Sequence, residues 1–243
     1  MKGIELFARI AFAPCKLGYC GTPDDAEFHQ KLFDFVAGKK DEEKESELRA
    51  GIRKFPTAWP YLRAISKKNS FDDILDLRAV EAYYFGNPFL QKCSSEQIKE
   101  VIENDFSQVL PKEVSQKLLL SLPEQALPHH SFHAFFIGSV SPRIEKTVSF
   151  MDNCRVGYGK IKGISKNSLN VEYRPLISFN SKLILGPYIR KPLSFFPEFI
   201  PKPKRGTFVA FHWNTAVLEL SKEQLDNLMH FTQQSLNAIN SHK

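Results

Sequence analysis

The sequence predicts an α+β protein: a mainly helical N-terminal region over residues 1–150, then a small β-barrel with a C-terminal helix over 151–243. Three observations carry this. Apolar residues recur at helical spacing through about residue 120. After Leu127 the pattern shifts to short alternating runs rich in strand formers. The charge changes with it: residues 1–153 hold 20 Lys/Arg against 22 Asp/Glu, a net −2, and residues 154–243 hold 13 against 5, a net +8, within an overall +6. Such a swing supports a domain boundary near residue 150.

Taken in order, Ile4, Leu6, Phe7, Ile10 and Ala11 fit a short buried helix ended by Pro14, with Gly18 and Gly21 marking a turn. Thr22-Pro23-Asp24-Asp25 then caps a helix reaching Gly38. Lys39 to Glu47 reads as a solvated mixed-charge segment, and Phe55-Pro56 and Trp59-Pro60 as interruptions, because a residue before proline is pushed out of the helical region. Further helices are expected over 70–85, stopped by Gly86-Asn87-Pro88, over 95–106 with Ser95 as cap, and over 111–122. His133–Ile137 and Thr147–Met151 read as strands. Leu169, Val171 and Tyr173 alternate with polar neighbours as a half-buried strand entered by a turn at 165–168, and Leu183–Leu185 is another apolar run. Five prolines between 187 and 203 make that stretch a loop or an edge, not a central strand. Phe208–Trp213 returns to strand. Ser221-Lys222-Glu223-Gln224 is a capping box opening an amphipathic helix with Leu225, Leu228, Met229, Leu236 and Ile239 on its inner side.

Composition narrows the function classes. With 42% hydrophobic and 25% charged residues the chain is an ordinary globular one, no run approaches the ~20 apolar residues of a membrane span, and Phe7–Pro14 makes a poor signal peptide. The cytoplasm is the expected compartment, in which Cys15, Cys20, Cys93 and Cys154 are reduced thiols. The basic residues are scattered, with no Arg-rich helix and no zinc-finger spacing, so an acidic protein surface, an anionic ligand or a simply solvated basic face ranks ahead of nucleic acid. No phosphate loop, dinucleotide fingerprint or Gly-x-Ser-x-Gly elbow is present.

Two stretches carry candidate chemistry. The first is Cys154-Arg155-Val156-Gly157-Tyr158-Gly159-Lys160-Ile161 with the strand to Tyr173; the second is Gly206-Thr207-Phe208-Val209-Ala210-Phe211-His212-Trp213-Asn214-Thr215-Ala216. Cys154 is either a small buried apolar residue or a thiolate ligand suited to iron, zinc or copper(I). His212, sharing a strand face with Phe208 and Ala210, is either a satisfied core residue or its companion. His129-His130-x-x-His133 is a separate signal, able to join Cys15 and Cys20 in a zinc site, although the spacing matches no standard finger or zincin.

Cys154, Gly159, Lys160, Val171, Gly206, Val209, His212 and Ala216 fall, without gaps, on matching positions of the hydrogenase assembly chaperone family (HypC/HupF), which the last 90 or so residues resemble. The chain departs from that pattern at Tyr158, at Arg174-Pro175 and at Trp213-Asn214-Thr215, and its cysteine is internal where the family's opens the mature chain. The resemblance implies an OB-like barrel and an accessory role in nickel-iron hydrogenase maturation. Cys154 and His212 would hold an iron centre bearing cyanide and carbon monoxide in passing. The implied partner is a scaffold protein or the hydrogenase large-subunit precursor, met by Arg155, Tyr158, Lys160 and Trp213. The opening segment, residues 3–21, resembles that of an uncharacterised prokaryotic family of similar length. The rival readings are a metal-dependent enzyme built on the histidine cluster and a partner-binding module without chemistry.

Overall fold

Helix α1 (Gly3–Lys16) is covered along most of its length, with Ile4, Leu6, Phe7, Ala8, Ile10, Ala11, Phe12, Ala13 and Pro14 all buried and Glu5 and Arg9 paired at 2.9 Å on the remaining face, and such a helix takes its stability from tertiary packing. In the computed structural model, which describes residues 1–19, 21, 27–138 and 145–241, α1 lies between the helical and the stranded halves. It packs on α2 (Phe28–Val36) and α5 (Leu77–Tyr84) on one side and on strands β6 (Phe208–His212) and β7 (Thr215–Glu219) on the other. One apolar core runs continuously from Ile4 to Ile239. The boundary expected at 150/151 falls within helix α9 (Val148–Cys154).

The helical region is largely as expected, with instructive differences. Pro14 does not end α1, which continues to Lys16. The expected cap at Thr22–Asp25 lies outside the described residues. The mixed-charge run is solvated as expected, and it opens helix α3 (Glu42–Ile52), in which Asp41 accepts from the Lys44 amide and only Leu48 and Ile52 are buried. Pro60 does not interrupt either; it sits in the first turn of α4 (Ala58–Asn69), where a missing N–H costs nothing. The helix expected from Ser70 begins instead at Leu77, since Ser70 closes α4 in a left-handed conformation (φ 56°) and Asp76 caps α5 by accepting from Arg78 N–H. Helices α6 (Ser95–Asn104) and α7 (Lys112–Leu120) follow, the first with a capping box between Ser94 and Gln97.

Both short apolar runs expected as strands are helical. His130–Phe132 forms one α turn, α8, that widens into a π-helix at His133–Ile137. The second run is α9, started by the Thr147 hydroxyl accepting from Phe150 N–H. Over five residues the two periods are hard to separate: His133–Ile137 is buried on nearly every side, which removes the alternation that marks a half-exposed strand, whereas Thr147–Met151 alternates exposed Thr147 and Ser149 with half-buried Val148 and Phe150 as a strand would, and the Thr147 cap turns it into a helix.

The stranded half has β1 (Gly157–Ile164), β2 (Ser168–Tyr173), the hairpin β3 (Leu176–Phe179) and β4 (Lys182–Leu185), β5 (Ile189–Ser194), β6 and β7. Five of these form one sheet in the order β1-β2-β5-β7-β6, and β6 pairs again with β1. The proline-rich stretch therefore does contain a strand: Pro192 stands opposite Asn170 of β2. Along its other side β5 meets β7 only at the parallel pair Ser194↔Thr215, so most of β5 is an edge, where a strand proline is tolerated. Helix α10 (Lys222–Asn240), opened by the Ser221–Gln224 capping box, packs on α8 and β4. Among the described residues no helix is long and apolar enough to cross a membrane.

Candidate metal centre

Three elements end at one point. His212 is the last residue of β6, immediately before the two-residue turn Trp213-Asn214, whose φ values of 47° and 60° are those of a type I′ hairpin. Cys154 is the last residue of α9. His130 is the first residue of α8. The ends are laced together by the Trp213 amide donating to the Asn153 carbonyl at 3.1 Å and by His212 Nε2 lying 2.6 Å from the Cys154 carbonyl.

The end of α9 is fixed by a buried charge cluster. Asp152 accepts from Arg155 Nε at 3.0 Å, from the Tyr173 hydroxyl at 3.2 Å and from the Leu176 amide at 2.9 Å. Arg155, 1% exposed, also donates to the Arg174 carbonyl at 2.7 Å. The guanidinium expected to meet a partner is thus committed inside the protein, tying α9 to β2 and β3.

At the meeting point one nitrogen each of His130 and His212 and Cys154 Sγ lie within 4.8 Å of one another. His212 is 3% and His130 7% exposed, whereas Cys154 as a residue is part-exposed. The His130 ring stands perpendicular to that of His212 at 5.1 Å and packs on Tyr83 and Tyr84; its Nδ1 is buried without a hydrogen-bond partner. His212 is held from both sides, its Nδ1 being 2.8 Å from the Ile10 carbonyl of α1. A neutral imidazole carries one N–H, so only one of its two carbonyl neighbours receives a proton.

Burial sets the charge state. It pushes the Cys154 thiol up to about 12 and His212 down to about 4, the latter despite both carbonyls. His130 is held well below the ordinary imidazole range by burial and then by neighbouring His212. Near neutral pH the site is an uncharged thiol with two neutral imidazoles. One soft and two borderline donors suit zinc, ferrous iron or copper(I), and an entering cation would displace the thiol proton.

The two candidate sets are partly merged. Cys154 and His212 meet, and His130 of the other set joins them. His129 and His133 are outside the group: His129 Nδ1 accepts from the Ser131 amide at 3.2 Å, and His133 Nδ1 is 3.3 Å from the Tyr61 hydroxyl. Cys15 is not among the three, and Cys20 lies outside the described residues. Tyr158 and Lys160 are half-buried on β1, and Trp213 is half-buried and stacked on Tyr19 at 3.9 Å. Spacings of 24 and 58 residues between the three donors left no local motif for His130. The one sequence signal for the Ile10 contact was a proline inside an apolar helical run.

Fold and site together define an α+β protein with a His/Cys cluster able to take a metal ion. The chain belongs to a family of unknown function, DUF6390, whose profile matches residues 1–243. No curated protein and no solved structure matches it.

Proposed function

We propose that the protein binds a transition-metal ion through Cys154, His212 and His130. The observation that carries this reading is the gathering of one thiol and two imidazole nitrogens within 4.8 Å, with His130 Nδ1 buried and unpartnered. A buried polar atom without a partner is costly, and a cation held by that nitrogen would remove the cost. Three protein donors leave a coordination position for a fourth ligand, which is where a bound ion would supply Lewis acidity or be passed on. Metal analysis of the purified full chain tests the reading. Near one equivalent of zinc or iron, absent from Cys154→Ser and from His130→Ala, is expected; equal metal in all three proteins overturns it.

The narrower reading is a cytoplasmic accessory in nickel-iron hydrogenase maturation, with the iron as cargo. Two observations favour it. Cys154 and His212, matching positions of the chaperone motif 58 residues apart, come together. The sheet order also supports an OB-like barrel: counted along the chain, its five strands run 1-2-3-5-4 and return to 1, with the third and fifth parallel. In this role Tyr158, Lys160 and Trp213 remain for partner contact, Arg155 being internal. Affinity capture should recover a hydrogenase large-subunit precursor or a maturation scaffold with the wild type and not with Cys154→Ala. Recovery with neither protein removes this reading and leaves metal binding standing.

A further inference from the structure

Alternate residues of a strand turn their main-chain groups to opposite sides. On β5 the sides are fixed at its end: Phe195 N–H donates to the Asn167 carbonyl on the β2 side, and Ser194 N–H donates the other way, to the Asn214 carbonyl at 2.9 Å. Ile189, Lys191 and Leu193 therefore turn toward β2, while Arg190 and Pro192 turn away from it. Because β5 meets β7 only at Ser194, the Arg190 amide, the Arg190 carbonyl and the Pro192 carbonyl have no partner among the described residues. Both residues are exposed. On this side Pro192 withholds one donor and keeps its acceptor.

The face beside this edge is basic. Pairing register sets Phe208, Lys160, Glu172 and Arg190 side by side across β6, β1, β2 and β5, and Arg174, two residues beyond Glu172, lies over the exposed Tyr188 ring. Lys162 takes up Glu172 at 3.0 Å, whereas Lys160, Arg174 and Arg190 have no carboxylate partner among the described residues. The sheet thus gathers cations that are scattered along the sequence. Lys191 of the same strand reaches Asn153 at 3.4 Å, one residue before Cys154, so the edge lies beside the end of α9.

We propose that the free edge of β5 takes an extended acidic segment of a partner protein, which adds as a strand along Arg190 and Pro192 and sets a carboxylate against the Arg190 side chain. In strand addition the main-chain bonds supply affinity and alternate side chains supply choice; Arg174 and Lys160 add to the field that draws the segment in. Charge and proline guard an edge against pairing with its own kind, and Arg190 and Lys191 repel the same edge of a second copy. A nucleic acid answers the cations and leaves the strand's main-chain groups unused. The inference goes beyond the metal-binding reading and needs no ion.

Fluorescence anisotropy of a short labelled peptide of alternating Glu and Val, titrated with metal-free full-length protein, tests it. Saturable binding at low salt is expected, weakening as salt rises and falling roughly fivefold in Arg190→Ala, a change at an exposed side chain that leaves the fold intact. N-methylating one alternate set of peptide amides should abolish binding, and methylating the other set should not, because only one edge of the added strand meets β5. No binding of the acidic peptide, equal effects from the two methylated sets, or equal binding of a peptide with Lys in place of Glu overturns the inference. Displacement of the peptide by a tighter-binding single-stranded oligothymidylate overturns it in favour of nucleic acid. With no metal present, these outcomes are separate from those that decide the metal-binding reading.

Discussion

Asp152 holds the end of α9, and removing its carboxylate isolates a buried charge. In Asp152→Ala the Arg155 guanidinium, 1% exposed, keeps only the Arg174 carbonyl. Breaking one side of a buried ion pair typically costs about 3–5 kcal/mol. The Leu176 amide and Tyr173 hydroxyl also lose their acceptor, at about 1–3 kcal/mol for a buried group left unpaired. These losses share one site and do not add fully, so the expected destabilisation is about 4 kcal/mol or more, a large part of a typical 5–15 kcal/mol stability. Urea denaturation at neutral pH should give a lowered midpoint with an unchanged slope. The double variant Asp152→Leu/Arg155→Met, which removes both charges, should be clearly more stable than Asp152→Ala. A loss below about 1 kcal/mol for Asp152→Ala, or a double variant no better, refutes the view that this pair anchors the site.

Three further outcomes follow. His129 and His133 are pushed down to about 3 and His212 to about 4 by burial, and His130 well below its ordinary value. The unfolded chain therefore takes up protons below about pH 6.5 that the folded chain refuses. Stability is full above that pH and should fall as pH drops, by about 1 kcal/mol per histidine between 6.5 and 5.5 in metal-free protein, read as a lowered urea midpoint; a flat profile across that window contradicts the buried neutral cluster. Gly86→Ala places a Cβ 1.9 Å from the Phe231 ring at φ +82° and should cost about 2–4 kcal/mol in thermal melts, whereas Gly38→Ala, with nothing within 4 Å, should cost only the backbone strain. His133→Ala should leave metal content unchanged, because that ring contacts Tyr61 and lies outside the donor group; loss of metal there would mean the wrong histidines have been assigned.

Local chemistry made part of this legible. The Ser221–Gln224 box and its apolar stripe marked α10, and strict alternation marked β2 to the residue. Pro60 and Pro14 were misread as breaks because a proline's effect depends on where the helix starts and on what takes the orphaned carbonyl, and the second is a contact 202 residues away. The run at 133–137 carries no period because burial on nearly every side erases it, and the run at 147–151 alternates like a strand over five residues, too few for the helix period to show. Cys154 and His212 were singled out through a motif resemblance. His130 was seen in its own cluster, and nothing along the chain linked it to the other two, since their meeting depends on the ends of α8, α9 and β6 converging.

The most direct test is a cobalt(II) titration of the metal-free full chain followed by absorption. A metal centre on Cys154, His130 and His212 should give a saturable sulfur-to-cobalt charge-transfer band at one equivalent, absent in Cys154→Ser and weakened in His130→Ala and His212→Ala, with release of the thiol proton. A protein that gives no such band, or one whose band survives in Cys154→Ser, contradicts it.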